Sequence, residues 1–120
     1  SWLVRQSHHH DENLHDVIHK RFKLTPAEHA RLETAEARYD RRREEIEADI
    51  RAANAKLASA IRTDPEMSPE VATASAEVER AAAELQRVTL QHVFEMRAAL
   101  DPPHRRAYDD VTIEALTRDQ

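Results

Sequence analysis

The chain contains no glycine in 120 residues. Glycine is the residue that enters the left-handed backbone region at no steric cost, so its absence removes most tight β-hairpin turns and the Gly-rich loops that cradle phosphates. Five prolines punctuate the chain instead, at positions 26, 65, 69, 102 and 103, with Ala, Glu and Arg dominating between them. Each proline sits beside a helix start or stop signal. The sequence therefore predicts an all-α architecture. It is an antiparallel hairpin of two long helices with a short helix at each end, forming a four-helix hooked bundle.

Residues 1–12 show no period and are expected to form a flexible N-terminal arm carrying His8, His9 and His10, followed by a single helical domain over 13–120. Leu14, Val17, Ile18 and Phe22 recur at helical spacing, predicting a first helix of about nine residues. Thr25, Pro26 and Glu28 form a capping-box signature, so a second helix starts there and runs to Ile61, roughly 54 Å at 1.5 Å per residue. Ser68 and Pro69 start a third helix that reaches about Leu100, and Asp101 is placed to cap a fourth. The fourth helix carries apolar positions Ala107, Tyr108, Val111, Ala115 and Leu116.

Both long helices carry a coiled-coil seam. Ile46, Ile50, Ala53, Leu57 and Ala60 repeat by 4 and 3 in the second; Val71, Ala74, Val78, Ala81, Leu85, Val88 and His92 repeat by 3 and 4 in the third. The short connection makes the helices antiparallel neighbours. Leu90 and Phe94 form a further apolar pair off this seam, to be covered by the first helix, the fourth or a second subunit, and a homodimer is expected.

With 23 acidic and 18 basic residues the net charge is −5, which argues against a nucleic-acid partner. The run Arg41, Arg42, Arg43 is followed at helical distance by Glu44, Glu45 and Glu47, a pattern of solvated ion pairs. No apolar run is long enough to span a bilayer, and the absence of Cys does not choose a redox compartment. The start at Ser1, with apolar Trp2, Leu3 and Val4 and no initiator Met, leaves an upstream signal or anchor as an expectation.

Eight histidines are many for this length, and three of them fall in two helical pairs, one completed by a methionine. His92 and Met96 lie one turn apart on the seam of the third helix; taken alone, a core histidine beside a packing methionine is the plainer reading. With the hairpin turn centred near residue 65, opposed positions sum to about 130, which sets Glu36 opposite the pair. A carboxylate in the apolar stripe between Leu32 and Tyr39 is costly unless it meets a cation, a donor or a metal. His15 and His19 form the second pair, on the first helix. A polar face would also account for them, and they reach Glu36 only if that helix crosses at an incline or is staggered by one to two turns.

Three imidazoles, one carboxylate and one thioether can converge on one point. Bound through both Glu36 oxygens, such a set is six-coordinate and suits nickel(II) or cobalt(II), with zinc(II) as a competing ion that usually takes four ligands. A shell filled by protein leaves no position for a substrate. No Cys nucleophile, no HExxH and no paired catalytic carboxylates are present, so no enzyme activity is expected. His8 to His10 read as an ordinary arm, and His29 and His104 as solvated or packing residues.

The stretches NLHDVIHKRF, RRREEIEADIRAANAKLASAI, SPEVATASAEVERAAAELQRVTLQHVFEMRAAL and HRRAYDDVTIEAL resemble the periplasmic sensor domain of the CnrX/NccX family of nickel and cobalt resistance regulators. AANAKLA and HVFEMRA are long enough to be specific. The resemblance assigns the family's metal ligands to His15, His19, Glu36, His92 and Met96. It further implies a dimeric periplasmic domain tethered to the inner membrane by an N-terminal helix absent from this sequence. Its expected partner is a membrane-bound anti-sigma factor that holds a sigma factor inactive, so that metal controls transcription of resistance genes. The alternative reading is a chaperone-like periplasmic hairpin of the Spy/CpxP type, since Leu24 to Glu28 loosely resembles that group's LTxxQ element; Glu stands at its last position and the cap already explains these residues.

Overall fold

Thr25 opens the longest helix in the way its spacing predicts. Its hydroxyl accepts from the Glu28 backbone N–H at 3.1 Å, and the Glu28 carboxylate accepts from the Thr25 N–H at 3.0 Å. The computed structural model describes residues 16–118, apart from the side chains of Asp16 and His19. Over that range the chain is helical, in four elements: α1 (Asp16–Arg21), α2 (Pro26–Thr63), α3 (Pro69–Ala99) and α4 (Pro102–Thr117). The expected arm over 1–12 lies outside the described residues.

Helix α2 extends two residues beyond the predicted Ile61. Its 38 residues account for the 56 Å long axis of the molecule. Ser68 caps α3 by accepting from the Val71 N–H at 3.2 Å. The two long helices pack antiparallel along their predicted seams: Ile46, Tyr39, Leu85 and Val88 form one buried cluster with Ile50 against it, while Ala53, Val71 and Ala74 are buried toward the turn. Small residues there let the helices approach closely but bury little apolar area, so the larger cluster lies at the opposite end. That cluster joins Ile18 of α1 and Leu32 of α2 with Val93, Met96, Ala99 and Leu100 of the α3 end and Tyr108 of α4, with Phe22 and Leu24 packed on it.

One sequence expectation is corrected and another is narrowed. Asp101 occupies the N-cap position of α4, but its side chain makes no capping hydrogen bond; its carboxylate accepts from Arg31 at 3.0 Å instead, an interaction set by packing with α2. Leu90 and Phe94 are covered by neither short helix, being 41% and 60% exposed, because α4 turns back along the adjoining edge of α3. There Tyr108 donates to the Val93 carbonyl at 2.8 Å and Arg97 pairs with Asp109 at 2.8 Å. Of the apolar positions named on α4, Tyr108 and Ala115 are buried, whereas Leu116 is exposed.

Candidate metal centre

The buried face of α2 runs through Leu32, Ala35, Glu36 and Tyr39, and that of α3 through Val88, Thr89, His92, Val93 and Met96. Two contacts fix the level at which these faces meet. Leu32 shares an apolar cluster with Val93 and Met96. One to two turns further on, the Tyr39 hydroxyl lies 2.8 Å from the Thr89 hydroxyl and its ring stacks on His92 with centroids 4.2 Å apart and planes within 9°. Glu36 stands between Leu32 and Tyr39 on α2. The carboxylate is therefore on the same buried stretch of the interface as His92 and Met96.

These side chains are withdrawn from solvent: Glu36 is 9% exposed, His92 1% and Met96 0%. A buried carboxylate, imidazole and thioether together fit a divalent transition ion, which supplies the positive charge that an ionised carboxylate needs in an apolar interface. Ion pairs between Arg38 and Glu95, Arg42 and Glu84, and Lys56 and Glu77 cross the hairpin outside this face. Within the Arg41 to Arg43 run, Arg42 pairs with Glu45 and Arg43 with Asp40 and Glu47 along α2, at the helical spacing the sequence implied.

The remaining predicted ligands are on or before α1. His15 lies outside the described residues, and His19 belongs to α1 by its backbone while its side chain is not described. Ile18 places α1 against the α2–α3 end of the core that contains Met96. Among the described residues no group of three His, Asp or Glu side chains is arranged to hold a metal; the five-residue set depends also on His15 and His19, whose side chains are not described, and on the Met96 sulfur. His29 sits on the surface with its Nε2 2.8 Å from a Glu33 carboxylate oxygen.

Two features of this end were hidden in the sequence. Glu28 is fully buried, and besides its capping role its second oxygen accepts from the Asp101 N–H at 2.8 Å and lies 2.8 Å from Nδ1 of His104. Burial alone would raise its pKa, but the hydrogen bonds from Thr25, Asp101 and His104, with the charge of His104, outweigh it and hold the carboxyl at about 2. The His104 ring also stacks on Phe22, with centroids 5.5 Å apart. The beginnings of α2 and α4 thus share one buried carboxylate, and Phe22, just after α1, packs on its His104 partner. The second feature is the Tyr39 ring against His92. Burial pushes the Tyr39 hydroxyl pKa up despite its hydrogen bond with Thr89, so a neutral phenol is what packs there.

A family model described as heavy-metal resistance matches residues 1–107 of the chain. The chain is also 55% identical over 106 residues to the nickel and cobalt resistance protein CnrR of Cupriavidus metallidurans, a match covering 88% of this chain and 72% of that protein.

Proposed function

The chain belongs to the heavy-metal resistance family, and we propose that within it the chain is a periplasmic sensor that binds nickel(II) or cobalt(II) through His15, His19, Glu36, His92 and Met96. The observation that carries this reading is the burial of a carboxylate, an imidazole and a thioether on one stretch of the α2–α3 interface, in a chain whose relative is named for nickel and cobalt resistance. The three donors lie on two helices that the hairpin already holds together, while His15 and His19 belong to the short N-terminal segment. A metal bound by both groups ties that segment to the hairpin. This transmits a signal only if the ion prefers the tied conformation over the untied one. Ligand at 100 times its dissociation constant favours the binding state by about 2.7 kcal/mol, enough to redirect a finely balanced equilibrium.

In this reading the domain is anchored to the inner membrane ahead of the arm and signals to a membrane-bound anti-sigma factor, as the resemblance to the CnrX/NccX family implies. It acts as a homodimer. Support for the dimer comes from Leu90 and Phe94 on α3 and Ile113 and Leu116 on α4, all exposed. Phe94 is three residues before Arg97 and Ile113 four after Asp109, so each lies within about one helical turn of the Arg97–Asp109 bridge. Exposed apolar side chains of this size on both helices are what a covering partner would bury.

X-ray absorption of the stoichiometric nickel complex tests the ligand set, with titration calorimetry of His92→Ala beside it. Nitrogen and oxygen scatterers with one sulfur, and loss of the tight equivalent in the variant at unchanged apo helicity, are expected. A spectrum without sulfur removes Met96 from the set. Unchanged affinity in a folded His92→Ala chain refutes the site.

A further inference from the structure

We propose that Tyr39 is a positioning residue for the metal centre: it fixes the plane of the His92 imidazole, and with it the direction of the ring nitrogens, relative to the helix that carries Glu36. The inference rests on the reading of His92 as a ligand. The Tyr39 ring lies flat on His92, with planes within 9° at 4.2 Å between centroids, and any rotation of the imidazole about its Cβ–Cγ bond other than a half-turn takes its plane off that stack. Tyr39 is itself held at both ends. Its hydroxyl meets Thr89, three residues before His92 on the same helix, at 2.8 Å in a fully buried contact. Over its ring stands the Arg43 guanidinium, 5.7 Å from the centroid, which is anchored in turn by Asp40 and Glu47 on α2.

The chemical reason to fix this plane is directional. An imidazole nitrogen donates through a lone pair that lies in the ring plane, so an ion must sit in that plane to bind well. Six-coordinate ions hold each donor to a set direction, and partners outside the donor set commonly orient metal-binding histidines. Here the orienting group is an aromatic face rather than a hydrogen-bond acceptor. Tyr39 lies three residues after Glu36, so the same turn of α2 supplies the carboxylate and sets the ring.

The test compares Tyr39→Leu, Tyr39→Phe and His92→Ala in the full chain, titrated with free nickel(II) and, separately, loaded with cobalt(II). Tyr39→Leu is expected to weaken nickel binding roughly 10- to 100-fold and to shift the ligand-field absorption bands of the cobalt form. Tyr39→Phe keeps the ring and is expected to restore both, although it too lacks the hydroxyl. A folded Tyr39→Leu chain with wild-type affinity and unshifted bands, beside a His92→Ala chain that no longer binds, overturns the positioning role and leaves the site standing. A His92→Ala chain that binds like wild type removes the ligand reading and this proposal with it. If Tyr39→Leu does not fold, the wild-type chain decides by proton resonance with zinc(II) as a diamagnetic probe. The carbon-bound ring protons of His92 are expected to remain displaced upfield by the Tyr39 ring after loading. Their return to ordinary positions would mean that the imidazole turns off Tyr39 when it binds, and the proposal fails.

Discussion

Nδ1 of His104 lies 2.8 Å from Oε2 of Glu28, joining residues 76 positions apart at a carboxylate that solvent does not reach. This contact closes the end of the bundle where α1, α2 and α4 begin or finish, and it sets an acid limit on the fold. The ordinary Glu28 value of 4.5 is lowered to about 2 in the folded chain. A depressed carboxyl stabilises the fold fully above its unfolded value, and that stabilisation is lost as pH falls from there through the folded value. Glu28→Gln is therefore expected to differ most from wild type above pH 4.5 and to converge on it as the pH approaches about 2. Urea midpoints of both chains across that range measure the convergence; a difference that is constant with pH contradicts it.

Met96 is both a candidate ligand and a fully buried member of the apolar cluster with Leu32, Val93 and Leu100. Truncation to Ala would open a cavity and cost about 2–5 kcal/mol by packing alone. Met96→Leu removes the thioether at nearly constant volume, costing less than about 1.5 kcal/mol. The Leu variant is expected to retain zinc binding, to lose the sulfur scatterer from its nickel complex and to narrow the difference between its responses to the two ions. Calorimetry, X-ray absorption and protease protection of residues 13–25 report these three effects. Wild-type nickel-specific protection in Met96→Leu would make the methionine a packing residue only.

Phe94 is 60% exposed, so Phe94→Ser removes little buried contact within one chain. Its expected effect on monomer stability is within about 0.5 kcal/mol, as for other surface substitutions. The same change is expected to shift the monomer–dimer balance toward monomer in sedimentation equilibrium. A dimer of unchanged affinity would place the covering surface elsewhere.

Tyr108 fastens α4 to α3 by donating to the Val93 carbonyl at 2.8 Å from a buried position. Tyr108→Phe keeps the ring in the core and deletes that bond, so a loss of about 1 kcal/mol is expected in denaturant unfolding. Slower amide exchange in α4 after this change would show that the hydroxyl is not its anchor.

The elements were legible because their signals are local. Thr25 and Glu28, or Ser68 and Pro69, announce a helix start within four residues, and the seams from Ile46 to Leu57 and from Val71 to Val88 repeat at a period only a helix satisfies. The placement of Glu36 on the stretch with His92 and Met96 followed from one further assumption, a tight turn near residue 65. The second role of Glu28 was not readable in this way. Its Oε1 is explained by the cap three residues away, while the partners of Oε2 come from the α3–α4 junction, whose path depends on packing. Asp101 was misread for the same reason, since Arg31 of α2 claims the carboxylate that a local rule assigns to its own helix. Tyr39 looked like any aromatic in a stripe, because spacing identifies a face but not the ring it meets.

Among the described residues, α1 and the start of α4 lie at the end of α2 that carries Glu36, and from there the two long helices run on to the turn at residues 64–68. From Glu36 to Thr63 that pair extends roughly 40 Å at 1.5 Å per residue. The screening length in physiological salt is about 8 Å, so the charge of an ion arriving at Glu36 is extinguished several times over before it reaches the turn. Whatever the far tip registers must travel as a strain along packed helices. A dye on the exposed Met67 position would therefore report mechanical transmission alone, free of the field of the metal.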